Sequence, residues 1–241
     1  RPYVPVGNLQ QELLLPMTNG FWLGSDIYGR SLLEVMSSGA GYALLIGICV
    51  TFISASIGVV FAYLQIATNK WINALIDTFT GLLFVLPSIL LSILILSITG
   101  PSKIAIVVVL AITGWPSYAK IAKAEMGRVL GLDYVESARA IGMKKVQILF
   151  RILIPAIMPI MSVQMILNMG GVIISESTLG FLGLANNKNS WGFMLSMAKN
   201  VLLEAPFIVV ITSFSMAGVI IGLNLFGDGL RDYLDPKQQR V

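Results

Sequence analysis

Histidine is absent from this sequence, and cysteine occurs once among its 241 residues. Cys49 lies inside an apolar run and has no second thiol to pair with, so a disulfide and a thiolate metal site are both excluded. Without histidine the chain also lacks the most common metal ligand and the side chain that most readily exchanges a proton near neutral pH. We therefore expect no metal site and no cofactor.

A nucleotide-binding motif is missing too. The phosphate-binding pattern GxxxxGK[ST] occurs nowhere in the chain. The protein should therefore not bind ATP itself, and we do not expect it to be an enzyme on its own.

Charged residues are scarce. They make up 12% of the chain, against roughly a quarter in an ordinary soluble domain, whereas hydrophobic residues make up 56%. A water-soluble fold needs polar and charged residues to cover its outside, and this chain has too few of them. With a mean hydropathy of +0.84, the composition predicts an integral membrane protein.

Five stretches are apolar over about the 20 residues that a helix needs to cross a bilayer. They predict an all-α membrane protein with spans at approximately 39–66, 72–99, 103–122, 152–174 and 205–227. The third span is the weakest, because its uncharged part is short and Pro116 is expected to kink it. Asp77 is the one clear acid inside a span. It lies near the beginning of the second span, where water or a basic partner can reach it.

The basic residues between the spans predict the orientation. With the loops assigned to alternate sides, eleven basic residues fall on one side and five on the other. The eleven are Lys70, Lys120, Lys123, Arg128, Arg139, Lys144, Lys145, Arg151, Arg231, Lys237 and Arg240; the five are Arg1, Arg30, Lys103, Lys188 and Lys199. The richer side is normally cytoplasmic, so the C-terminus is predicted to be cytoplasmic and residues 1–38 extracytoplasmic, with a transmembrane domain over 39–241. This clustering between apolar segments argues against nucleic acid as a partner.

One charged segment, residues 131–151 (GLDYVESARAIGMKKVQILFR), interrupts the apolar sequence. Asp133 is predicted to be the N-cap of a short helix, with Glu136 completing a capping box. Gly142 should close the helix at a left-handed C′ position. A second short helix is then predicted to begin at Lys144 and to run into the next span.

The first of these helices is predicted to be amphipathic, because Tyr134, Ala138 and Ile141 recur at helical spacing. A helix this short is not stable alone in water and needs a surface to lie on. It could rest on lipid headgroups, with its lysines near anionic lipid. It could equally dock in a groove of a cytoplasmic partner. The residues alone leave both possibilities open.

The segment resembles the EAA loop in the permease subunits of binding-protein-dependent ABC importers. The likeness runs through Glu136, Ala138, a glycine four residues later at Gly142, and the Ile154–Pro155 pair. Other stretches are similar, in the same order, to the C-type permease subunit of the dipeptide, oligopeptide and nickel importers. They are FWLGSDIYGRSLL, FVLPSILLSILIL, GWPSYAKIAKAEM, SESTLGFLGL with SWGFML, and NLFGDGLRDYLDP.

The resemblance implies the fold of a type I ABC importer permease and a function. The chain would form, with a second permease subunit, the membrane path for peptides. An extracytoplasmic binding protein would deliver the solute, and two ATPase subunits would receive the EAA helix, here within residues 123–151. The location would be the bacterial inner membrane.

The resemblance also implies site residues. Coupling to the ATPase subunits would rest on Asp133, Tyr134, Glu136, Ser137, Ala138, Arg139, Ala140, Gly142 and Lys144. Contact with the binding protein or the outer gate would rest on Asp26, Arg30, Glu176 and Trp191. For Glu176, at the outer end of its span, an ordinary helix-end acid in the headgroup region is an equally good interpretation.

Three alternatives remain at this stage. The same architecture could import nickel or another metal–chelator complex. An ion-coupled secondary transporter would need ion-coordinating groups at the middle of the membrane and inverted repeats, and neither is evident. A structural membrane subunit without a path of its own is the third.

The five predicted spans place the N-terminus outside, yet residues 1–24 contain no apolar run near the 20 residues that could carry it there. Related importers have one more span before this region. We therefore expect a sixth, N-terminal span of about 20 to 25 residues, with a short basic leader, upstream of Arg1.

The segment 175–203 is expected to be a re-entrant loop near the gate that the binding protein touches. Its polar ANNKNS stretch should be a surface turn. Single cysteines introduced at Asn187 and Lys188 should therefore react with an impermeant thiol reagent from the outside only. Labelling from the cytoplasm would overturn the whole topology.

Overall fold

The computed structural model describes residues 7–185 and 187–234 of the chain. Within these ranges it forms nine α-helices and no strand. The helices are α1 (Leu32–Ala67), α2 (Lys70–Val85), α3 (Ser88–Thr99), α4 (Lys103–Leu130), α5 (Asp133–Ala140), α6 (Lys145–Ile148), α7 (Ile154–Phe181), α8 (Trp191–Ala198) and α9 (Pro206–Leu234). A π-helical turn, Leu149–Leu153, joins α6 to α7. Three of the basic residues that predict the orientation lie outside the described residues, namely Arg1, Lys237 and Arg240.

The five predicted spans correspond to four long helices and one bent pair. Helices α1, α4, α7 and α9 are each long and apolar enough to cross a membrane. Helices α2 and α3 pass the same test only together. The all-α prediction is confirmed, although α1 begins at Leu32 rather than at residue 39 and α4 continues to Leu130 rather than ending at 122.

The second span is not the single helix that the sequence predicts over 72–99. Helices α2 and α3 meet at an angle of 91°. Pro87 lacks an N–H group and disfavours helical backbone in the residue before it, and Leu86 is indeed extended at φ −77° and ψ 126°. The proline therefore breaks the span, whereas Pro116 is accommodated within α4.

Helices α1, α4 and α7 form the centre of the fold, and small residues set their spacing. A Cβ placed on Gly58 of α1 would lie 2.6 Å from the Cβ of Tyr118 in α4. One turn away, the Ser54 hydroxyl donates a hydrogen bond of 3.2 Å to the Ala111 carbonyl. The two backbones can approach this closely only because α1 carries small side chains along this face.

Asp77 has the basic partner that the sequence predicted. The Lys123 ammonium of α4 lies 3.0 Å from Asp77 Oδ1, and the Gln65 amide of α1 donates to the same oxygen at 2.6 Å. Lys123 also donates to the Asn73 side chain at 3.1 Å. This polar cluster ties α2 to α1 and α4, where few other contacts hold it.

Candidate functional site

Helix α5 forms the charged segment, and its beginning differs from the prediction. Leu132, with φ −91° and ψ 141°, occupies the N-cap position, and no side chain caps the helix. Asp133 is therefore the first helical residue, so the predicted N-cap and its capping box with Glu136 are wrong. Both acids still lie in the first turn, where a negative charge interacts favourably with the positive end of the helix dipole.

The other end of α5 confirms the prediction. Gly142 has φ +88°, a left-handed conformation that residues with a Cβ rarely adopt. Its N–H donates to the Arg139 carbonyl at 3.0 Å, and the Met143 N–H donates to the Ala138 carbonyl at 3.1 Å. This pair of bonds is the Schellman arrangement, which satisfies the last carbonyls and reverses the chain sharply.

The second short helix follows at once, as predicted. The backbone N–H of Lys144, the N-cap residue of α6, donates to the Gln147 side chain at 2.9 Å. Through the π-helical turn, α6 continues into α7. Helix α5 is thus held between the end of α4 and the beginning of α7.

The apolar residues of the α5 segment are divided between two faces. Val135 is 0% exposed and Ala138 is buried, whereas Tyr134 is 52% and Ile141 82% exposed. Ala138, predicted to share a face with Tyr134 and Ile141, packs against the bundle, and the other two side chains stay available for the surface on which the helix is predicted to lie. The packing face follows the spacing of Val135 and Ala138, which leaves a tyrosine and an isoleucine pointing outward among charged neighbours.

Val135 joins α5 to the core of the bundle. It belongs to a cluster of buried side chains contributed by α1, α4, α6, the π-helical turn and α7. Its other members are Ala55, Ala62, Tyr118, Ala122, Met126, Val129, Ile148, Leu153, Ile157 and Met161. Sequence reasoning missed Val135, although the apolar spacing of Leu132, Val135 and Ala138 at every third residue could have identified it.

The residues predicted to couple to a partner lie on α5 and in the turn that joins it to α6. Eight of them are exposed, namely Asp133, Tyr134, Glu136, Ser137, Arg139, Ala140, Gly142 and Lys144, and only Ala138 is buried. The Ser137 hydroxyl bonds within its own helix, to the Asp133 carbonyl at 3.0 Å. The exposed set can form a contact surface; the buried Ala138 packs against the bundle.

The opposite end of the molecule is covered by the segment before α1, which is held by a buried ion pair. The Arg30 Nε atom lies 2.6 Å from Asp26 Oδ2, and both side chains are buried. Asp26 Oδ1 also accepts backbone N–H bonds of 2.9 Å from Tyr28 and from Arg30. The acid therefore organises this turn as well as neutralising the guanidinium.

Arg30 also connects this turn to the loop before α8. Its Nη1 atom donates to the Asn189 side chain at 2.8 Å, and its Nη2 atom lies 3.4 Å from the Lys188 carbonyl. Ala185, Asn189 and Ser190 are buried, so the predicted surface turn is wrong for these three residues of ANNKNS, whereas Lys188 is exposed. Asn186 of the same stretch lies outside the described residues.

Trp191, the first residue of α8, is also buried. Its indole N–H donates to the Met36 carbonyl at 3.3 Å. A Cβ on Gly39 would lie 2.7 Å from the indole nitrogen, so α1 has no side chain where the ring packs. Asp26 and Arg30 thus hold the segment before α1, and Trp191 joins α8 to α1; all three side chains are buried. Their predicted contact with a binding protein or a gate stays a prediction.

Glu176 lies in the last two turns of α7 and is 1% exposed. Its Oε2 atom is 3.4 Å from the Ser177 hydroxyl, and its Oε1 atom has no hydrogen-bond partner among the described residues. Such burial does not fit an acid in the headgroup region. Its role at a gate stays a prediction.

The described residues contain no group of three or more cysteine, aspartate or glutamate side chains that could hold a metal ion.

The chain is similar to permease components of known transport systems. Residues 54–240 match the family described as the binding-protein-dependent transport system inner membrane component. The di/tripeptide transport system permease protein of Pseudomonas aeruginosa is 33% identical over 244 residues, covering 98% of this chain and 80% of that protein. The glutathione transport system permease protein of Pectobacterium atrosepticum is 32% identical over 222 residues, covering 91% and 74%.

Solved structures share the fold. A chain of the inward-facing MetNI methionine ABC transporter superimposes with a TM-score of 0.70 over 85% of this chain and 98% of that one, at 16% identity. A chain of an amino acid ABC transporter crystallised with histidines gives a TM-score of 0.66 over 84% and 95%, also at 16% identity. At this identity the likeness concerns the fold alone.

We expect substitution of Arg30 by methionine to destabilise the protein by about 3 to 5 kcal/mol, because the Asp26 carboxylate would remain buried without its partner. Thermal unfolding of the purified protein in detergent measures the effect. Lys188→Met is the matched control, since it removes a neighbouring cation that is exposed and leaves the carbonyl facing Arg30 in place. Equal melting temperatures for the two variants would contradict the structural role of the ion pair.

Proposed function

The chain belongs to the family of binding-protein-dependent transport system inner membrane components and is a permease subunit of an ABC importer, and we propose that the solute it carries is a peptide. The names of the relatives support this choice, since they are permeases for di- and tripeptides and for glutathione, itself built from amino acids. An ion-coupled secondary transporter is incompatible with membership of this family. A nickel or metal–chelator passenger has no comparable support.

The coupling of transport to ATP hydrolysis is proposed to pass through α5. The observation that carries this proposal is the combination of a buried Val135 and an exposed Tyr134 on one eight-residue helix with an exposed Ile141 at the C-cap of that helix. Exposed apolar side chains on a charged helix suit an apolar groove on a partner better than they suit water. A helix that only rests on lipid headgroups would not need to be fixed to the bundle by a Schellman turn and a buried valine. A helix that transmits movement from a partner protein would need both.

ATP hydrolysis would be supplied by two ATPase subunits, each receiving the EAA helix of one permease subunit. The second permease subunit is proposed to be a different chain, so that the pair forms a heterodimer around the path. This arrangement would place α5 and the C-terminus in the cytoplasm, consistent with the eleven basic residues assigned to that side. The protein would lie in the bacterial inner membrane.

The outer segment is proposed to be the side that faces the binding protein. Residues 1–38 would be extracytoplasmic, including the first turns of α1, and residues 39–241 would form the transmembrane domain with the EAA loop at 123–151. Because Asp26, Arg30 and Trp191 are buried, we propose that they act by fixing the shape of this surface. The exposed neighbours, such as Lys188, would make the contacts.

We expect the double variant Tyr134→Ser, Ile141→Ser to uncouple the transporter. In proteoliposomes containing both permease subunits, the ATPase subunits and the binding protein, ATP hydrolysis stimulated by dipeptide-loaded binding protein should fall at least tenfold. The reason is that two apolar anchors are lost, and each buried apolar side chain contributes about 1.5 to 3 kcal/mol. Both side chains are exposed in the isolated chain, so its yield and thermal stability should not change.

The double variant Tyr134→Phe, Ile141→Leu is the matched control, since it keeps an apolar side chain of similar size at each of the two exposed positions. It should retain full stimulation. If the double variant keeps normal stimulated hydrolysis, α5 is not the coupling element. If the native complex responds to a metal–chelator and not to dipeptide, the proposed passenger is wrong.

A further inference from the structure

A polar pocket lies about halfway along α1, α4 and α7. In a membrane-spanning helix this region is normally apolar, because polar groups are costly in the middle of a bilayer. The volume of the pocket is about 220 Å³. Hydroxyl groups line it from Thr51, Ser54, Ser88, Thr113, Ser117 and Ser175. No charged side chain is among the described residues that line it, so the pocket offers hydrogen bonds without a net charge.

Tyr118 and Asn168 complete the wall. Tyr118 is buried, and its hydroxyl lies beside the Asn168 side chain yet forms no well-aligned hydrogen bond with any described residue. The Asn168 carbonyl oxygen accepts from Gln164 at 3.1 Å, which leaves the carboxamide nitrogen as its donor. A buried hydroxyl without a partner is costly, so a native structure normally provides it with water or a ligand.

The hydroxyls on the helices are already arranged as acceptors. Thr51, Thr113 and Ser175 each donate to the carbonyl four residues earlier, at 2.8 to 3.1 Å. A hydroxyl whose proton is used in this way still has lone pairs for a donor in the pocket. These groups can therefore accept N–H bonds from a passing solute.

Donors for the carbonyls of that solute come from the broken span. Ser88 is the first residue of α3, and no side chain caps this helix. The Leu90 and Leu91 N–H groups already donate to the Pro87 carbonyl, at 3.0 and 3.2 Å, which leaves the N–H groups of Ser88 and Ile89 at the beginning of the helix. Ser88, beside the 91° bend, lines the pocket. The pocket thus combines hydroxyl acceptors, the N–H groups of a helix end and one carboxamide.

The geometry points to this pocket as a binding site on the transport path for the uncharged backbone amides of a peptide. The inference rests on the proposed peptide function. A peptide unit has one N–H donor and one C=O acceptor regardless of its side chain. The pocket offers hydroxyl acceptors for the N–H group and N–H donors for the carbonyl. Because no charged side chain lines it, it should not select among the side chains of the solute. The volume is below the roughly 300 to 1,000 Å³ typical of drug-sized ligand sites, which suits a segment of one or two residues.

Hydroxyl deletions test the site. Tyr118→Phe and Thr113→Val each remove one polar group with little change of shape, and Thr99→Val is the control, because Thr99 makes the same bond to its own helix, at 3.0 Å to Ile95, outside the pocket. In proteoliposomes with the full importer, uptake of radiolabelled dialanine should fall roughly three- to tenfold in each pocket variant, the loss expected for one hydrogen bond. ATP hydrolysis stimulated by the loaded binding protein should stay within twofold.

Protection from a thiol reagent provides a second measurement that does not depend on the hydroxyl deletions. In a Cys49→Ala background, a cysteine replacing Ser117 should be modified at least threefold more slowly while the complex transports dialanine. A cysteine replacing Ser97, which lies outside the pocket, should show no change.

If the native complex takes up dialanine and both pocket variants take it up equally well, the pocket is not a binding site. The same conclusion follows if the cysteine at position 117 is not protected during transport. Neither result would contradict the proposed peptide function. A native complex that takes up no dialanine would overturn the proposed peptide function and the site with it.

Discussion

Burial of the Val135 side chain is the contact that fixes α5 against the bundle. Helix α5 has eight residues, too few to be stable by itself in water. Complete burial of a valine contributes about 1.5 kcal/mol or more, and here it also fixes which face of the helix points outward. Because Val135 faces the bundle, Tyr134 and Ile141 point away from it and are exposed.

The burial of Val135 also couples α5 to the membrane helices. The cluster around Val135 takes side chains from α1, α4 and α7, so a force applied to α5 acts on three membrane helices together. At the other end, the Asp26–Arg30 pair and Asn189 lock the segment before α1 to the loop before α8. If the proposed coupling through α5 and the proposed partner subunit hold, a bundle fastened at both ends should shift as a rigid unit against that subunit, which is one of the common forms of switching transition.

The sequence predicted those features that depend on local chemistry. Apolar length located the spans, and Gly142 correctly predicted the end of α5, because a left-handed turn requires a residue without a Cβ. The beginning of α5 was missed by one residue because Leu132, whose apolar side chain cannot cap a helix, occupies the N-cap position, whereas Asp133 is the residue type that normally stands there. A kink at Pro87 follows from the rule that residues before proline avoid helical backbone, but the local sequence does not indicate that it reaches 91°.

Features that join distant parts of the chain could not be predicted in this way. Asn189 approaches Arg30 across 159 positions, and nothing in either local sequence indicates the pairing. The polar pocket likewise collects isolated serines and threonines from four helices, each of which looks like an ordinary helix-bonded hydroxyl in its own segment. Only the packing of α1, α4 and α7 reveals that they share one space.

Cysteine cross-linking in the assembled complex tests most directly the claim that α5 is the link to the ATPase subunits. With Cys49 replaced by alanine, a cysteine in place of Ile141 should cross-link to an ATPase subunit through a short bifunctional thiol reagent, and the yield should change between nucleotide-free and ATP-bound states. A cysteine in place of Ile98, which is similarly exposed but lies on the predicted outer side, should give no such product. Absence of the Ile141 product in a complex that hydrolyses ATP normally would contradict the claim.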